Sequence, residues 1–179
     1  MKAVHKYGSA NGEISMTKKV ICLSAAFFVS VGVANAADPP DMKEGLWSSH
    51  SVTIDQPGNK KSEATTTICR SHAYDQHTKD LATKIPGCGK ATFNYQGSGF
   101  TSELRCTVQG SVVESKGTAV YQGDSAVHSE THATYTPALY GMSETTTIMD
   151  QKYLGSCPAG MQPGDMKNAD GKIFNSWKH

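Results

Sequence analysis

Four cysteines constrain this chain more than any other feature. Of the five in its 179 residues, Cys22 lies in a segment built like a secretory signal: two lysines after Met16, an apolar run from Val20 to Val33, then Ala34-Asn35-Ala36. Charged, apolar and small-residue zones in that order predict export to the periplasm with cleavage after Ala36. The apolar run of about 14 residues is shorter than the roughly 20 that span a bilayer, so no transmembrane anchor is expected after cleavage. Residues 1–15 carry no structural pattern; translation starts at Met1 with this leader removed alongside the signal, or at Met16. What remains is an even set, Cys69, Cys88, Cys106 and Cys157. In an oxidising compartment four cysteines predict two disulfides in one of three connectivities. Zinc ligation is the rival reading, and no pair has the two-residue spacing of a zinc knuckle.

The same subtraction bounds the partners. Residues 1–36 hold four lysines and one glutamate, so the exported chain keeps 13 basic and 15 acidic residues. A nearly neutral chain without a block of like charge has no electrostatic footprint for nucleic acid, whose binding rests on phosphate neutralisation.

Periodicity in the exported chain is mostly that of strands. In "GLWSSHSVTI", Leu46, His50, Val52 and Ile54 fall on one face and Trp47, Ser49, Ser51 and Thr53 on the other. A Pro-Gly turn in "DQPGNKK" joins this strand to threonine-rich "SEATTTIC". The period then changes in "RSHAYDQHTKDLATK", where Ser71 caps a short helix and Asp75 stands in its first turn, four residues before Lys79. Tyr74, Thr78 and Leu81 share a face, and "IPGCG" ends the helix. "ATFNY", "ELRCTV", "SVVES", "GTAVYQG", "AVHSETHATYT" and "SETTTIMDQKYLG" follow as strands. The likeness of "SEATTTI" and "SETTTI" is read as shared β propensity, since two copies do not make a repeat.

The expected fold is mainly β: an antiparallel meander forming a twisted sheet or barrel-like structure, with one short α-helix covering an opening or edge, and two disulfides. Its organisation is a leader and signal at 1–36, a linker at 37–44, a β-rich domain at 45–157 and a Pro/Gly-rich segment at 158–179, without regular structure before about Ile173. If "QGSGF" turns the chain, Cys88 meets Cys106 across a hairpin. Cys69 then pairs with Cys157, a bridge that could close the sheet.

Candidate chemistry is sparse. His128, Glu130 and His132 in "AVHSETH" are the metal candidates, for zinc or copper. Alternation with Val127, Thr131, Ala133 and Tyr135 places them on a strand instead, where residues four apart stand roughly 13 Å from each other, too far to share one ion. Met142, Met149, Met161 and Met166 form no dense array for Cu(I). "MKNADG" has Met166 where a calcium loop needs its first carboxylate. No Gly-x-Ser-x-Gly elbow and no phosphate loop occurs, so a hydrolase-type enzyme is only an alternative and no cofactor is expected. The aromatic and apolar residues expected to line a ligand cavity are Leu46, Trp47, Phe93, Tyr95, Phe100, Tyr121 and Tyr135.

Gly45-Leu46-Trp47, the threonine-rich strand ending in Cys69, the spaced Cys88 and Cys106, and "YLGSCPAGMQPGDM" together resemble the small exported bacterial proteins grouped as domain-of-unknown-function family 3617. The resemblance runs from about Met42 to Asp170, and its specificity lies in the order of short motifs. It implies an exported, cysteine-bridged, β-rich domain of Gram-negative bacteria with no assigned reaction and no catalytic residues to transfer. Arg70 departs from the family, where an aliphatic residue is commoner after this cysteine. Taken together, these readings predict a noncatalytic periplasmic module that binds a small apolar ligand or an envelope partner.

Overall fold

The computed structural model describes residues 40–177, so the expected leader, signal and cleavage point lie outside the described residues. Gly45–Gln56 (β1) and Lys60–Arg70 (β2) form the expected hairpin, with Trp47 opposite Ile68 and Val52 opposite Glu63. Next comes the helix His72–Ala82 (α1), then Thr92–Gln96 (β3), Gly99–Val108 (β4), Ser111–Gln122 (β5), Ala126–Leu139 (β6) and Met142–Gly155 (β7). Two short strands, Asp165–Asn168 (β8) and Ile173–Asn175 (β9), complete one antiparallel sheet in the order β3-β4-β5-β6-β7-β1-β2-β8-β9. The meander from β3 to β7 is thus continued by the N-terminal hairpin, and the two threonine-rich stretches flank β1 from either side.

Three expectations are corrected. The sheet is open, with β3 and β9 as edges, so the barrel alternative does not hold. Cys69 is the penultimate residue of β2 and Cys157 follows β7, with only β1 between those strands; their bridge staples next-but-one neighbours and cannot join the edges. Second, "SVVES" and "GTAVYQG" are one strand, because Gly117 marks close packing and not a turn. A Cβ there would stand 2.8 Å from Ser102 Oγ and 3.3 Å from Thr131 Oγ1, so only glycine fits without displacement. Third, β8 begins before Ile173: glycine and proline shape the turns that return the chain, and the free edge of β2 supplies partners Thr66–Ile68. Gly164 N donates to Cys69 O at 2.8 Å and locks that return beside the disulfide.

The two disulfides, Cys69–Cys157 and Cys88–Cys106, are the expected pairs and belong to the chemistry of an oxidising compartment. Their weight follows from a thin core. Among the described residues the buried apolar side chains are Met42, Trp47, Ile68, Cys69, Cys106 and Ala119, so two of the few are themselves bridge sulfurs. Trp47 is fully buried at the centre. Its indole Nε1 donates to Lys43 O at 2.8 Å, Tyr153 meets it edge-on at 5.8 Å, and the Arg70 guanidinium lies 4.7 Å from its ring centroid.

Register sorts the two sheet faces. Trp47, Ile68, Met166 and Tyr153 stand together on one, and Tyr121 opposes Val127 on the same side. The other face carries charge: His128 opposes Asp150, Glu130 opposes Thr118, and Lys116 opposes Glu103 and His132. Helix α1 lies on the apolar side, where Tyr74 packs against the Met42, Trp47 and Ile68 cluster. No helix among the described residues is long and apolar enough to cross a membrane.

Candidate functional site

Alternation along three adjacent strands gathers four rings on the α1 side of the sheet. Phe93 and Tyr95 are two apart on β3, Tyr95 opposes Phe100 on β4, and Phe100 opposes Ala119, two residues before Tyr121 on β5. Centroids stand 5.8 Å apart for Phe93 and Phe100, 5.4 Å for Tyr95 and Phe100, and 6.1 Å for Phe100 and Tyr121. The rings are tilted or edge-to-face, the arrangements that aromatic quadrupoles favour.

Opposite this wall stands α1, a helix with no buried residue. Ser71 caps it, its hydroxyl accepting from Tyr74 N at 3.2 Å, as the cap chemistry predicts. Asp75, expected to face Lys79 along the helix, is instead held by Arg70, whose Nε donates to Oδ1 at 2.9 Å. Arg70 lies over Trp47, so the stronger partner comes from the sheet and ties the first helical turn to the core. The C-terminal segment braces the helix as well. Tyr74 and Ser176 hydroxyls are 3.0 Å apart, and the Trp177 ring lies 5.8 Å from Tyr74 and 5.7 Å, stacked, from His77.

Held this way, with no residue fully buried, the helix leaves room beneath it. A cavity of about 570 Å³ lies between α1 and the sheet. Phe93, Tyr95, Phe100, Tyr121 and Ile68 supply its apolar lining; Tyr74, Thr78, Lys79 and Ala82 supply the helical side. Volume and lining are those of a small-molecule site.

Four of the seven expected lining residues, Phe93, Tyr95, Phe100 and Tyr121, do line this cavity. Leu46 and Trp47 are neighbours on β1 and must point to opposite faces; Trp47 is sealed in the core and Leu46 turns away. Tyr135 shares the sheet face with Tyr121 but sits far along β6, donating to Thr145 Oγ1 at 3.3 Å, and is not part of the lining. The sequence reading missed Arg70, Asp75 and Lys79. Helical spacing carried part of the signal, since Tyr74 and Thr78 were already on one face, but the cavity side continues to Ala82, while Leu81 is exposed.

The "HSETH" stretch is extended backbone in β6. His128 Nδ1 lies 2.7 Å from Asp150 Oδ1, and His132 Nε2 lies 3.4 Å from Glu144 Oε2, each pair on the exposed face. Among the described residues no group of three or more His, Cys, Asp or Glu side chains is placed to hold a metal ion.

Tyr121 is the titratable group of the cavity whose environment acts most clearly. Burial pushes its phenol above the ordinary value of 10.0, and the neighbouring Tyr95 pushes in the same direction. A phenol ionised less readily when folded supports the native state fully below the unfolded value and loses that support as pH rises through its raised folded value. Tyr121→Phe is therefore expected to lessen the fall in stability above about pH 10, read from urea midpoints across the alkaline range.

In class the molecule is a disulfide-clasped, mainly β protein built, among the described residues, on one open antiparallel sheet with a single overlying helix. The chain belongs to the family described as protein of unknown function (DUF3617), whose model matches residues 42–157. That match covers the motifs that carried the resemblance as far as Cys157, and the β8–β9 segment lies beyond it. Among curated proteins none matches the chain.

Proposed function

We propose that this is an exported periplasmic protein that binds a small apolar ligand, without catalysing a reaction, in the cavity between α1 and the sheet. The observation that carries the reading is the aromatic wall of Phe93, Tyr95, Phe100 and Tyr121 facing a helix none of whose residues is fully buried. The recess is half open to solvent, and a ligand-sized groove lined by rings is available for a guest. Two disulfides and the signal-like order of residues 16–36 support the periplasmic assignment.

The test is titration with the neutral fluorophore N-phenylnaphthylamine, together with mass spectrometry of organic extracts from natively purified protein. Saturable binding is expected, and Phe100→Ala should weaken it about tenfold, the equivalent of roughly 1.4 kcal/mol of lost apolar contact. An extract without any bound molecule and a flat titration would refute the reading.

A further inference from the structure

Resting on that reading, we infer that the guest is an uncharged, flat conjugated ring compound, clamped face-on between Phe93 and Tyr95. The inference starts from the spacing of β3. Phe93 and Tyr95 are two apart on one strand, so their side chains rise from the same sheet face about 6.6 Å from each other. The two rings stand nearly parallel, with 22° between their planes and 6.4 Å between their centroids. Carbon atoms in direct contact lie about 3.5–4.0 Å apart, so rings at this spacing face each other as the walls of a slot. One flat ring needs about 3.5 Å on each side, roughly 7 Å in all. Phe93 is 42% exposed and stands on the edge strand, so its ring is free to give the remaining half ångström or so.

Phe100, on the neighbouring strand, closes one side of the slot. Its centroid lies 5.8 Å from Phe93 and 5.4 Å from Tyr95, and its plane is tilted by 66° and 51° to theirs. It therefore meets a guest in the slot at an angle, the other arrangement that ring quadrupoles favour. A flat guest gains two faces and one tilted contact at once, whereas a saturated ring system of the same skeleton is puckered, thicker and must push the walls apart. Charge narrows the class further. Arg70 and Lys79 in the lining are balanced by Asp75 and Asp80, so an ionised guest finds no net counter-charge to offset the water it gives up.

The experiment compares 2-naphthol with its saturated counterpart, decahydro-2-naphthol, as displacers of N-phenylnaphthylamine. The two share a carbon skeleton and a hydroxyl, and the saturated one is the more apolar, so burial of area alone predicts that it binds at least as tightly. The slot predicts the reverse, with 2-naphthol about tenfold tighter, and upfield shifts of its ring protons on binding, as protons over ring faces show. Phe93→Leu, which keeps an apolar side chain and removes one wall, should erase the preference while leaving the affinity of the saturated alcohol within about twofold. Phe174→Leu, on the edge strand β9 at the other end of the sheet, should preserve it. Equal affinities, tighter binding of the saturated alcohol, no displacement by either, or a preference that survives Phe93→Leu would overturn the slot and leave the cavity reading standing wherever the fluorophore itself binds. Failure of the fluorophore and of both alcohols to bind would overturn the cavity reading with it.

Discussion

Replacing Cys69 and Cys157 together by alanine is expected to lower the stability of this protein by about 4–5 kcal/mol. The two residues are 88 apart in sequence, so their bridge removes a large share of the unfolded chain's freedom. It also fixes the point where the structure around the cavity is assembled. Cys69 is followed by Arg70 and the Ser71 cap, and its carbonyl accepts from Gly164 N, so β2, α1 and the returning C-terminal segment converge there. Loss of the shorter Cys88–Cys106 link, whose partners are 18 apart in sequence, should cost less, about 3 kcal/mol. Urea denaturation of the two double variants measures the order; a larger loss for the shorter link would contradict this account of how the fold is held.

Trp47→Ala is expected to be nearly as severe, about 3–5 kcal/mol, which is a large part of the roughly 5–15 kcal/mol by which a domain is stable at all. The cost has three sources. The fully buried indole leaves a cavity in a core with few other apolar members, Lys43 O loses its donor, and the Arg70 guanidinium loses the ring beneath it. Because Arg70 holds Asp75 of α1, the damage should reach the binding cavity too. The variant keeps Trp177, whose fluorescence follows unfolding in the same experiment. A change in midpoint equivalent to less than about 1 kcal/mol would show that this cluster is not the core.

Local chemistry was the legible part of the sequence. Ser71 as a helix cap, the β1–β2 hairpin and the extended "HSETH" stretch all depend on near neighbours, and all are where the pattern places them. The bridge partners were legible because a hairpin turn leaves Cys88 close to Cys106. Strand order was not: β7 lies beside β1 through contacts between residues nearly a hundred apart, and nothing in either strand's alternation names its partner. β8 was hidden for a related reason, since four residues between glycine-rich turns become a strand only through the edge that β2 offers. In the site, the ring wall was readable from alternation along β3, β4 and β5. The charged side was not, because Arg70, Asp75 and Lys79 meet the cavity only through the placement of α1 on the sheet.

The central claim is that the space beneath α1 receives a ligand. It is tested most directly by titrating isotope-labelled protein with N-phenylnaphthylamine and following backbone amide shifts by nuclear magnetic resonance. Shifts concentrated in residues 72–83 and around Phe93, Tyr95, Phe100 and Tyr121 are the predicted result. Shifts confined to the charged face around His128, Glu130 and His132, or none at saturating probe, would contradict it.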